Sequence, residues 1–366
     1  MAELVTLDLP SFAQVRPDSG GGACAQMLLG DAALDQQALM REAHRLGSEE
    51  PGWKTAPDAL AKLLSARTDR AFAFHPDITA DQAMRRCAWS ILEDRIAPAV
   101  LIWKCRHWAL VTGFEADAEP ASIDDPDWGL RGFYLRNPYG PLDHHVDVAS
   151  WKAQYQTGVL HGIWRTRRVV VCAGAAAAAT PKLQPEPEPP FVRRELLDPA
   201  YVAAAALAAI TGDRFARHPR WQAAAKDTVP GEAMLVTRLN FPADHHYIVP
   251  MLRDGRATLL LTLDAYDGRY RESSPVDPDH PASQAAARAK LDAMLAEGAV
   301  TLEDNREPVP VWSNTTAVFP SFTWRPCLES LSPYLPFLHV NTGNRQLHIR
   351  LDGKVFGEIS IRFSGA

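Results

Sequence analysis

The chain has 366 residues, 46% of them hydrophobic and 22% charged, and carries a net charge of −6. At roughly 150 residues per domain this length suggests two domains of ordinary globular composition, and the acidic balance argues against a dominant nucleic-acid surface. No run approaches the ~20 apolar residues of a membrane span. In chain order, the N-terminus "MAELVTLDLPSFAQV" has neither a basic start nor an apolar h-region. It is therefore not expected to be a signal peptide, and the protein reads as cytoplasmic. Helices come first. "ACAQMLLG" reads as a short one, and "DAALDQQALMREAHRLG" as a second ended by Gly47. "TAPDALAKLLSAR" opens with Thr55 three residues before Asp58 and Pro57 in its first turn, and "TADQAMRRCAWSILEDR" has Thr79 three residues before Gln82. Strands follow: "PAVLIW", "HWALVTGFEA", "GFYLRNP" and "GIWRTRRVVVCA" are apolar, β-branched and aromatic runs between turn residues. Helices followed by antiparallel strands make an α+β domain.

The stretch 172–190, "CAGAAAAATPKLQPEPEPP", interrupts this pattern. Its second half alternates proline with acidic and polar residues, the composition of an extended spacer. We divide the chain into a first domain at 1–173, a linker at 174–190 and a second domain at 191–366. The second domain is also α+β. "DPAYVAAAALAAIT" and "ASQAAARAKLDAMLAEG" look helical, whereas "AMLVTRLNF", "HYIVPML", "ATLLLTLDA" and "QLHIRLDGKVFGEISIRF" look like strands. Asp254-Gly255 and Asp352-Gly353 are hairpin signals, so an antiparallel sheet covered by helices is expected. "WRPCLESLSPYLPF" reads as a segment that covers a core.

The chemistry concentrates in the first domain. There are five cysteines, Cys24, Cys87, Cys105, Cys172 and Cys327; the odd count and wide spacing argue against a disulfide framework. Three glycines run into Cys24 in "SGGGACAQMLLG". Two readings stay open for it: a buried structural cysteine, or a nucleophile at a helix N-terminus, where the macrodipole and unpaired N–H groups lower a thiol pKa. A nucleophilic thiol needs a base and an orienting group. His107 opens a strand and Asn137 ends the next strand-like run before Pro138, so neighbouring antiparallel strands would set them side by side.

A helix-borne cysteine, a histidine heading "HWALVTGFEA" and an asparagine in "LRNPYGP" together resemble the papain-like cysteine peptidases. The bacterial branch that includes the bacteriocin leader peptidases is the most similar, over residues 10–170. The resemblance implies a papain-like domain that cleaves peptide or isopeptide amide bonds. Cys24 would attack the carbonyl, His107 would act as base and then acid, and Asn137 would orient the imidazole. The family carries an oxyanion-binding glutamine about six residues before its cysteine. Here Gln14 fills that part, ten residues before Cys24. The insertion "DAEPASIDDPDWGLR" between the His and Asn strands is expected to form a rim or lid. The second domain loosely resembles the strand pairs of cystatin-like modules, on "VPMLRDG" and "LDAYDGRY".

Metal and cofactor chemistry is not expected. No CxxC or HExxH occurs, and the adjacent pairs His144-His145 and His245-His246 diverge in an extended chain. The expected partner is a protein or peptide substrate, with a further protein partner recruited through the second domain. Two rivals remain beside the hydrolase: an acyltransferase on the same scaffold, and a catalytically inactive peptidase-like binding or regulatory module.

Overall fold

The computed structural model describes residues 3–47, 53–77, 79–104, 107–125, 128–140, 142–159, 164–174, 195–211, 215, 217–240, 244–277, 280–281, 285–297, 321–341 and 346–360. They fall into two compact units, one on either side of the 175–194 segment. From residue 175 on, the expected linker lies outside the described residues. Each unit combines helices with a mostly antiparallel sheet. Among the described residues no helix is long and apolar enough to cross a membrane.

The N-terminal unit contains β1 (Glu3–Thr6), α1 (Gly20–Leu29), α2 (Gln36–Leu46), α3 (Pro57–Arg67), β2 (Phe72–Asp77), α4 (Ala80–Trp89), β3 (Ala99–Ile102), β4 (His107–Ala116), β5 (Leu130–Asn137), β6 (Leu142–Asp147), α5 (Val148–Ser150) and β7 (Arg168–Ala173). Its strands run in the order β6-β5-β4-β3-β7-β2. β4 is the long central strand: its first half pairs β3 and its second half pairs β1. Against the sheet, α1, α2 and α3 bury one apolar cluster that includes Cys24, Met27, Leu39, Leu60, Leu64, Trp108, Leu110, Val169 and Val171. Burying each large aliphatic side chain there contributes about 1.5–3 kcal/mol. The indole N–H of Trp108 donates to the Thr55 carbonyl at 3.0 Å, so even the ring's polar edge is satisfied.

Local signals set the helix ends. Thr79 and Gln82 form the expected capping box at the start of α4. The Asp35 carboxylate caps α2 at Gln37 N, and Gly30 closes α1 in the left-handed region at φ 70°. Thr55 is not the cap of α3; Ala56 holds that position, and the Thr55 side chain packs against Gly21.

The C-terminal unit contains α6 (Pro199–Thr211), α7 (Pro219–Ala225), β8 (Val229–Pro230), β9 (Met234–Arg238), β10 (His245–Arg253), β11 (Arg256–Asp264), β12 (Tyr270–Pro275), α8 (Ala285–Ala296), β13 (Ser321–Trp324), β14 (Phe337–Asn341), β15 (Gln346–Arg350) and β16 (Val355–Phe356). The strand order is β16-β15-β14-β13-β9-β10-β11-β12, with β8 beside β10. Among the described residues the pairs within this unit are antiparallel except β13 with β9. At the β10–β11 hairpin Asp254 and Gly255 both have positive φ, 52° and 76°, as a two-residue primed turn requires. In the segment before β14, Trp324, Cys327, Leu331 and Tyr334 are all buried, so this proline-rich stretch covers a core.

Candidate functional site

The site forms where β4 begins and β5 ends. The two strands are antiparallel, with Leu110 opposite Arg136, so the start of one lies beside the end of the other. His107 Nε2 and Asn137 Oδ1 are 2.7 Å apart, and both residues are buried. The Tyr139 backbone N–H also donates to Asn137 Oδ1, at 2.9 Å. Because an N–H selects an acceptor, the atom facing His107 is the amide oxygen, and Nε2 of the neutral ring carries the proton. The lone pair is then on Nδ1. Burial lowers the His107 pKa to about 4, against a smaller raising effect of the Asn137 hydrogen bond, so the ring is neutral at pH 7. Trp103 covers the ring at a centroid distance of 5.7 Å, with planes 13° apart. Its own backbone is left-handed at φ 54°, and its N–H donates to the Tyr155 carbonyl at 2.7 Å.

Opposite Nδ1 stands Gly20, the first residue of α1. A Cβ built on Gly20 would lie 3.2 Å from both Nδ1 and Cε1 of His107. Nδ1 itself is buried with no hydrogen-bond partner among the described residues. The nearby hydroxyls are turned elsewhere. Ser19 Oγ bonds Arg16 O at 2.9 Å and Gln36 Oε1 at 3.2 Å, while Thr55 faces Gly21.

Cys24 is not at the helix N-terminus. The glycines expected to form a loop before it are instead the first turn of α1, which makes Cys24 the fifth helical residue. Four residues carry it about 6 Å further along the axis. It is fully buried in the apolar cluster, and no hydrogen bond joins it to His107 among the described residues. Burial raises its pKa well above the ordinary thiol value, the reverse of the expected depression. The glycines serve close approach: a Cβ on Gly21 would lie 2.5 Å from Thr55 Oγ1, and one on Gly22 would lie 2.6 Å from the Gln36 carbonyl. Cys87, Cys172 and Cys327 are likewise buried and unbridged, and Cys105 lies outside the described residues.

Gln14 reaches the site through its backbone, since its N–H donates to the Pro138 carbonyl at 2.8 Å. Its side-chain amide is spent on its own loop, donating to Arg16 O at 2.9 Å and Pro17 O at 3.0 Å. Gln36 clamps that loop, donating to Ala13 O and Gln26 Oε1 while accepting from Val15 N and Ser19 Oγ. The described residues of the insertion, 117–125 and 128–131, do not rim this site. The insertion joins the far ends of β4 and β5, and β4 is ten residues long, which at 3.3 Å per residue is about 30 Å.

Sequence reasoning paired His107 with Asn137 but missed Gly20, Trp103 and His144, whose ring lies within electrostatic reach of His107. One signal for Gly20 was present, because it stands six residues after Gln14. The chain matches no protein-family model, no curated protein and no solved structure.

Proposed function

We propose that the N-terminal unit is a papain-like peptidase fold without its nucleophile, acting as a binding or regulatory module for a protein or peptide partner. The observation that carries this reading is that the residue facing His107 Nδ1 is glycine. The papain-like pattern named above sets its glutamine about six residues before the cysteine, beside the oxyanion. Counted from Gln14, that place falls on Gly20 rather than Cys24. Hydrolysis and acyl transfer through Cys24 both need a thiolate within reach of His107, and a buried thiol of raised pKa one helical turn deeper does not supply one. The His107–Asn137 pair then acts as a buried hydrogen bond that ties β4 to β5.

The test uses the full chain. Against a mixed peptide-substrate library the wild type should show no cleavage, and iodoacetamide at pH 6 should leave Cys24 unlabelled. Gly20→Cys should acquire a labelled thiol at position 20, and adding His107→Ala should slow that labelling at least ten-fold. Cleavage by the wild type that disappears in Cys24→Ala would overturn the reading and restore the hydrolase.

A further inference from the structure

We draw no further inference here: the strongest candidate, the buried cluster of Arg238, His246 and Arg271 on strands β9, β10 and β12, has both guanidinium groups already paired with Asp244 and Asp264, and nothing in the structure shows what covers it.

Discussion

At the scale of single residues, burial moves the pKa values of Cys24 and His107 in opposite directions. The Cys24 thiol is held protonated, and the His107 imidazole is held neutral with its lone pair directed at a glycine. A hydroxyl in place of the thiol would have to be buried among apolar neighbours without a partner. Cys24→Ser should therefore destabilise the protein by about 1–3 kcal/mol, whereas Cys24→Ala removes only one buried atom and should cost about 1 kcal/mol. Urea unfolding of the two variants measures the difference. Equal stabilities would mean that the hydroxyl finds an acceptor that the thiol does not use. The adjacency of His107 and Asn137 was legible in the sequence because strand alternation and one proline define it. The pairing of His107 with residue 20 was not, since it depends on where α1 begins, and three glycines carry no propensity that marks a helix start.

At the scale of elements, one end signal that was correct is a pair of side chains that bond their own backbone, and Gly47 also ends α2 as expected. Thr79 and Gln82 close a capping box visible in four residues of sequence. Thr79→Ala should lower the melting temperature, with a stability loss of about 1 kcal/mol. A loss measured in the double variant Thr79→Ala/Gln82→Ala equal to the sum of the singles would show that the two bonds do not act as a box. Thr55 carried a similar signal, but its side chain was taken by Gly21 of another helix, so a tertiary contact overrode a local one. The strands missed in the sequence, among them β6 "LDHHVD" and β12 "YRESSP", lack the apolar run that marks a strand. Both are buried polar segments, and they become strands because a neighbour offers a ladder.

At the scale of the whole molecule, acid should be destabilising through histidines rather than through carboxylates alone. His75, His107, His144, His280 and His348 are each lowered from 6.5 to about 4, with burial the leading cause in every case. Their folded pKa values lie below the unfolded value, so the unfolded chain binds more protons between those limits. Stability is fully present above pH 6.5 and falls as pH drops toward 4. At pH 5 the two fully buried groups, His107 and His144, each withdraw up to about 2 kcal/mol. Denaturant melts at pH 7 and pH 5 should differ accordingly, and the difference should shrink in His107→Gln. A pH-independent midpoint over this range would contradict the buried neutral state of these rings.

The sequence by itself determined the mixed helix and strand content, the antiparallel character of the sheets, the Thr79–Gln82 capping box and the Asp254-Gly255 turn. Each of these rests on local periodicity or on a side chain bonding its own backbone. It also placed His107 beside Asn137, because antiparallel pairing of consecutive strands is itself close to local. Only the tertiary structure decided which residue of α1 meets His107. That contact joins residue 20 to residue 107 through packing of a helix against a sheet, and a shift of one helical turn exchanges a thiol for a glycine. Burial, which sets the proton state of both Cys24 and His107, is likewise a property of everything packed around them and is written in no single segment.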